Sequence, residues 1–209
     1  MVYNNNPYKV KVQFCFMGLD GVRLGKDLLK FLGGIEDWKN ALDLIRNNSE
    51  GECYLFGGAV YRSLNHLVHR VSYEELKDYD FLVENRNVDL DASSRWRIEY
   101  NRFGNPKFVS KGKNVDMVPF GEIVVIRERG LEPCLDNFLV TSPYNLAAMV
   151  LDLSSGEVIG SDGLKSLEEK SLSVLDRDSL EMMAKMYNSE PMKILDAKAK
   201  ELGFEVGVV

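Results

Sequence analysis

The chain has 209 residues, a formal net charge of −6, 45% hydrophobic residues and 28% charged residues. That length holds one full core and a small second lobe, and the composition is ordinary for a globular protein. The acidic balance argues against a non-specific nucleic-acid coat, and the widely spaced Cys15, Cys53 and Cys134 argue against a disulfide frame or zinc site.

Tyr8 to Met17 alternates and then turns apolar, which predicts a strand. Ile35 to Arg46 reads as an amphipathic helix carrying Ile35, Trp38, Leu42 and Ile45 on one stripe. The apolar run Cys53-Tyr54-Leu55-Phe56 ends in Gly57-Gly58, and Ala59 to His69 follows as a helix with Val60, Leu64, Leu67 and Val68 at helical spacing. His66 and His69 sit three apart on it, a spacing that permits a metal pair, but no third ligand lies near them in sequence. Next comes Lys77-Asp78-Tyr79-Asp80-Phe81-Leu82-Val83, where alternation sends Asp78 and Asp80 to one face and Tyr79, Phe81 and Val83 into a core.

Lys107–Ser110 and Asn114–Val118 read as strands joined at Lys111-Gly112-Lys113, with Asp116 outward and Val115 and Met117 inward. From Arg95 to Lys113 six basic residues face the single acid Glu99, an island suited to a triphosphate or an RNA backbone, or simply a solvated face. Ile123–Ile126 reads as a further short strand, and Tyr144–Leu153 as an apolar segment ending at the turn Ser154-Ser155-Gly156. Beyond Asp162-Gly163 the pattern is helical. One stripe is Leu180, Met183, Ala184 and Tyr187; another is Met192, Leu195, Ala199 and Leu202, with Pro191 in the first turn and Gly203 at the end. A lobe over 1–160 therefore precedes a small helical one over 161–209. No apolar run is long enough to span a bilayer and the N-terminus has no signal-peptide pattern, so a cytoplasmic location is expected.

The chemistry is concentrated in the first lobe. Two carboxylates on one strand face repel each other unless a cation lies between them, and Mg²⁺ with oxygen ligands suits that place. An Asp-x-Asp strand also fits a solvated edge. The preceding Gly-Gly turn shifts the balance, because a strand, two glycines and a helix aim backbone N–H groups at a phosphate. If the hairpin lies beside the Asp78–Asp80 strand, Asp116 brings a third acid to the same site. Phosphate cradle and metal-binding acids together are the equipment of phosphoryl or nucleotidyl transfer.

Five segments occur in a telling order. They are Tyr54-Leu55-Phe56-Gly57-Gly58-Ala59-Val60, Lys77-Asp78-Tyr79-Asp80-Phe81, Arg102-Phe103-Gly104 with Val115-Asp116, Asp152–Ile159 with Gly163–Leu167, and Glu190–Ala197 running to Leu202–Val206. In that order the chain resembles the class II CCA-adding enzyme and bacterial poly(A) polymerase family of the polymerase β nucleotidyltransferase superfamily. The resemblance implies an α+β fold: a polymerase β-like nucleotidyltransferase head with a mixed sheet, then a small helical neck. It also implies two Mg²⁺ ions and transfer of a nucleoside monophosphate from ATP or CTP to a hydroxyl, an RNA 3′ end above all, releasing pyrophosphate. On this basis Asp78 and Asp80 are metal ligands and Asp116 completes the catalytic site. Gly57, Gly58 and Arg62 are expected to bind the triphosphate. Glu190 and Lys193 stand where the family's acid and arginine read the base edge, accepting from the amine of A or C and donating to the adjacent ring nitrogen.

Departures from the pattern bear on activity. The motif's Arg-Asp becomes Tyr61-Arg62, which moves the arginine by one position. An arginine-bearing stretch is replaced by Pro133-Cys134-Leu135-Asp136-Asn137-Phe138, leaving Arg127 or Arg129 as substitutes for phosphate contact and Asn145 for an asparagine. The basic body and tail that grip tRNA in the family have no counterpart here, so a protein partner supplying that grip is a further expectation. The alternative is a non-catalytic nucleotide- or RNA-binding module that keeps the fold.

Overall fold

In the computed structural model, residues 18–92 and 94–207 are described. The strand expected over Tyr8–Met17 lies outside them. The chain opens with helices α1 (Gly21–Gly33) and α2 (Trp38–Asn48), then strand β1 (Ser49–Phe56), helix α3 (Gly58–His69) and strand β2 (Asp78–Arg86). Strands β3 (Arg97–Tyr100), β4 (Pro106–Ser110) and β5 (Lys113–Pro119) follow, then the short helices α4 (Val124–Glu128) and α5 (Leu135–Val140). Strands β6 (Val150–Asp152) and β7 (Val158–Ile159) close the sheet, in the order β3-β4-β5-β2-β1-β6-β7. Only β2 and β5 run parallel; every other pair is antiparallel. The sheet is therefore mixed, as the resemblance implied.

Alternation assigns the two faces. Leu55, Tyr79, Phe81, Val83, Val115 and Met117 join one core with Leu28 and Leu32 of α1, Trp38 and Ile45 of α2, and Val60 and Leu64 of α3. Tyr79, Phe81 and Val83 are 0% exposed, in agreement with the sequence reading. Tyr54, Leu82 and Phe120 belong to a second cluster on the opposite face, and Asp80 and Asp116, in phase with Leu82 and Val118, share that face. The same packing that buries one face thus presents the acids on the other.

One sequence reading is corrected here, and one helix had not been read. Ile123–Ile126 is not a strand: β5 ends at Pro119, a 3₁₀ turn follows over Phe120–Glu122, and Val124–Glu128 is helical. Val125 and Ile126 are buried, so packing overrides the β-branched preference of the run. Helix α1 gave no clear signal, because Gly21, Gly25 and Gly33 weaken a helical pattern. Its glycines let it lie on the β6–β7 turn, where a Cβ on Gly25 would stand 2.0 Å from the Gly156 carbonyl oxygen.

The C-terminal part holds α6 (Ser161–Glu169), α7 (Arg177–Met186) and α8 (Pro191–Leu202), with a two-stranded parallel sheet of β8 (Ser171–Leu172) and β9 (Glu205–Val206). Pro191 occupies the first turn of α8 and Gly203, with φ of 70°, ends it, as read from the sequence. Leu195, Ala199 and Leu202 pack into the main core, whereas Met192 and Tyr187 are exposed at the outer ends of their stripes. Among the described residues no helix is long and apolar enough to cross a membrane.

Candidate active site

The site begins at the end of β1. Gly57 has φ of 69° and caps α3, and a Cβ there would lie 2.8 Å from Asp80 Oδ2. Both the left-handed backbone and the carboxylate beside it require glycine. The first-turn amides of α3 consequently open toward Asp80, with partial positive charge at the helix N-terminus.

Asp80 on β2 and Asp116 on β5 are direct register partners of the parallel pair. On the far side of β5, Lys107 of β4 is the register partner of Asp116, and its Nζ lies 3.5 Å from Asp116 Oδ2. Asn101 Nδ2 donates to Asp116 Oδ1 at 3.1 Å, while Asn101 Oδ1 accepts from the amides of Phe103 and Asn105. That turn fixes the orientation of the carboxylate. Asp78 lies on the same face of β2 but nearer the surface, and its Oδ1 accepts from Asn114 Nδ2 at 2.6 Å.

Asp80 pays for this placement in acidity. Burial first, then the nearby Asp116 and Asp78 carboxylates, push its pKa from the ordinary carboxylate range up to about 7, against the opposing pull of Lys107 and Arg62. A group of this kind is half protonated near neutrality until a cation arrives.

These residues form the floor of a cleft of about 1000 Å³, large enough for a nucleotide. Gly57, Gly58, Asp80 and Asp116 line it, and α7 and α8 supply the facing wall. Lys193 lines that wall; Asp78 and Glu190 do not. Glu190 is exposed and accepts an ion pair from Lys193 at 3.2 Å, outside the cleft lining. It stands at the N-cap position of α8 without a side-chain capping hydrogen bond.

Arg62 lies beside Gly58, and its Nε donates to Glu201 Oε1 of α8 at 2.7 Å. Lys198 Nζ donates to Glu201 Oε2, also at 2.7 Å, and sits 5.5 Å over the Tyr61 ring. Burial pushes the Tyr61 hydroxyl up to about 12, and it pairs with that of Tyr144. Lys198, Glu201 and Asn101 were not singled out from the sequence, and Lys107 entered only as one member of the basic island. Their placement depends on strand pairing and on α8 crossing α3. Asn101 left a different signal, the turn composition of Asn101-Arg102-Phe103-Gly104-Asn105.

Other sequence candidates are engaged elsewhere. Arg127 pairs with Glu122, and Arg129 makes a two-pronged bond to Asp176 at 2.7 Å on each arm, fastening the head to the start of α7. Asn145 bridges Ser171 and Ser173 through the backbone. His66 and His69 donate to the carbonyls of Val71 and Leu167 and hold loops. The basic island is largely neutralised, with Arg95 on Asp37, Arg97 on Glu99, Lys107 on Asp116 and Lys113 on Glu75.

No protein-family model matches the chain, and no curated protein does. Solved structures do. A tRNA nucleotidyltransferase complexed with a primer tRNA and an incoming ATP analog superimposes with a TM-score of 0.52 at 23% identity, over 75% of this chain and 43% of that one. A CCA-adding enzyme with ATP gives 0.53 at 18% identity, over 91% and 42%. The Thermotoga maritima CCA-adding enzyme complexed with tRNA gives 0.53 at 16% identity, over 91% and 43%. The chain has the fold of these nucleotidyltransferases. It spans less than half the length of each of these three.

Proposed function

We propose that the protein is a Mg²⁺-dependent nucleotidyltransferase, moving a nucleoside monophosphate from a nucleoside triphosphate to an acceptor hydroxyl with release of pyrophosphate. The observation that carries this reading is the Asp80–Asp116 register pair set against the Gly57-Gly58 turn at the start of α3. Two carboxylates held together beside a helix N-terminus repel each other unless a cation lies between them.

The donor set suits a hard cation. Among the described residues no three acids form a ready-made metal cage, but Mg²⁺ is commonly held by one or two carboxylates with substrate phosphates and water completing its shell. Asp80 and Asp116 would hold it, with Asp78 joining from the same face. When bound, the metal neutralises phosphate charge and makes the attacking oxygen a better nucleophile.

The chain's own residues do the rest. The α3 amides and Gly57-Gly58 receive the phosphates without a side chain in the way. Lys107, Arg62 and Lys198 bring positive charge to the two sides of that position. Asn101 keeps the Asp116 carboxylate aimed into the cleft. Asp80, protonated near neutrality in the free protein, gives up that proton as positive charge enters. The neighbours bound to CTP, ATP and tRNA support ATP or CTP as donor and an RNA 3′ end as acceptor. With the basic island mostly paired to acids, a partner protein would supply the hold on RNA.

A second reading, a non-catalytic nucleotide-binding module, is favoured by the engagement of Arg127 and Arg129 away from the cleft. One experiment separates the two: incorporation from each α-labelled nucleoside triphosphate with Mg²⁺ into pooled tRNA and short RNAs, beside Asp80→Ala. Labelled product lost in the variant is expected. Metal-dependent nucleotide binding without product from any acceptor would leave the module.

A further inference from the structure

Among the described residues three aromatic side chains are exposed: Tyr100 at the end of β3, Phe103 in the β3–β4 turn and Tyr187 at the end of α7. Phe103 and Tyr187 line the cleft. Arg102 lies over both rings, its guanidinium carbon 5.3 Å from the Phe103 centroid and 5.2 Å from that of Tyr187. Arg102 Nη1 also donates to the Met186 carbonyl at 2.8 Å, one of the last carbonyls of α7, which a helix leaves without an internal partner. The turn and the neck thus meet at the edge of the cleft through one cation and two rings.

Four of the six cations in the basic island pair with acids, whereas Arg102 has no acidic partner among the described residues and keeps its charge uncompensated. Tyr187 is 63% exposed and Phe103 36%, so much of each ring stands in solvent. Core packing does not account for such rings. Aromatic faces beside a free guanidinium are suited to the bases and phosphates of a single strand. Position narrows the ligand further. Asn101, next to Arg102 in the same turn, donates to Asp116 Oδ1 at 3.1 Å, so the rings adjoin the acids. The donor's phosphates belong at the Gly57-Gly58 end, and Tyr100 carries the aromatic groups outside the cleft lining, where a longer strand would run. We propose that Phe103, Arg102 and Tyr187 form a stacking platform for the 3′-terminal nucleotides of a single-stranded RNA. A duplex hides its base faces, so the strand must be unpaired here. This is a local grip on the strand's end, separate from whatever holds the rest of the RNA. What the strand does there rests on the nucleotidyltransferase reading; its binding does not.

The test is the affinity of the full chain for a short fluorescent single-stranded RNA, without nucleotide, followed by anisotropy. Tyr187→Ala and Phe103→Ala, both at exposed positions, are each expected to weaken binding by about five- to a hundredfold, the effect of one base stacked on a ring. Tyr187→Phe keeps the ring and should bind as the parent does. Arg102→Ala should weaken binding and flatten its salt dependence, because one cation fewer faces the strand. The affinity of Tyr187→Ala for ATP with Mg²⁺ should stay close to the parent's; a loss there matching the loss for RNA would give the ring to the incoming nucleotide and overturn the proposal. A parent chain that does not bind the strand, or binds its duplex equally well, overturns it too. So does RNA affinity that both alanine variants leave unchanged, which would leave these rings to a protein partner. A chain that binds single strands through these rings yet incorporates no nucleotide keeps the platform and overturns the nucleotidyltransferase reading instead.

Discussion

Asp80 and Asp116 face each other across the parallel pair β2–β5 of the seven-stranded sheet, held in register by six consecutive residue pairs from Asp78–Asn114 to Val83–Pro119. Buried partners on the opposite face fix both strands, so the two aspartates stay neighbours in register. Asp80→Asn and Asp116→Asn should each lower nucleotide incorporation by at least about a hundredfold, the scale of losing one group that acts on transition-state charge. Circular dichroism should show the fold intact in both, since neither side chain is part of the apolar core. Activity within tenfold of the parent would remove these residues from the chemistry.

The raised pKa of Asp80 makes stability depend on pH in a definite direction. In the unfolded chain an aspartate ionises near pH 4, whereas in the fold this one ionises near 7. Between those values the folded state holds the extra proton, so this group's contribution to stability falls as pH rises from about 4 to about 7 and is flat above. Without divalent metal, Asp80→Asn should raise the melting temperature at pH 8 by at least about 2 °C. The gain should shrink at pH 5, where the parent is already protonated. Equal gains at both pH values would show that the carboxylate carries no such strain.

The acids and their strands were legible because alternation is local: Tyr79, Phe81 and Val83 point inward by the same rule that turns Asp78 and Asp80 outward. Helix α3 was legible for a similar reason, its apolar residues falling at helical spacing after Gly58. Lys107, Lys198 and Glu201 were not, since each meets its partner only through strand order or helix crossing, neither of which leaves a local pattern. Which reading of the basic island holds was not legible either, because its counter-charges Asp37, Glu75 and Asp116 come from elsewhere in the chain. Glu190 and Lys193 were singled out by position in a motif. Of the two, Lys193 lines the cleft and Glu190 does not, and the rest of that wall comes from α7 and from residues farther along α8.

Gly57 links fold to site more directly than any acid. Its positive φ costs a residue with a Cβ about 1–2 kcal/mol, and the added carbon would also press on Asp80 Oδ2. Gly57→Ala should therefore lower the melting temperature by about 2–8 °C and cut incorporation more than tenfold. Paired with Asp80→Asn, the two stability effects should not add, because the alanine then presses on a neutral group. Strict additivity in the double variant would mean that the glycine serves the turn alone.

Glu201 stands between Arg62 and Lys198 and accepts a hydrogen bond from each at 2.7 Å. Burial alone would raise its pKa, but the hydrogen bonds and charges of Lys198 and Arg62 hold it below the usual carboxylate range. The carboxylate therefore stays ionised and keeps both cations oriented, while also competing with an incoming anion for them. Glu201→Gln keeps the shape and removes the competing charge. Inorganic tripolyphosphate should bind the variant several-fold more tightly at low salt, with the advantage fading as ionic strength rises through about 0.15 M. Stability should change by less than about 1 kcal/mol, because both ion pairs are partly exposed. Weaker binding in the variant would give Glu201 the opposite role, an anchor without which the two cations no longer point into the cleft.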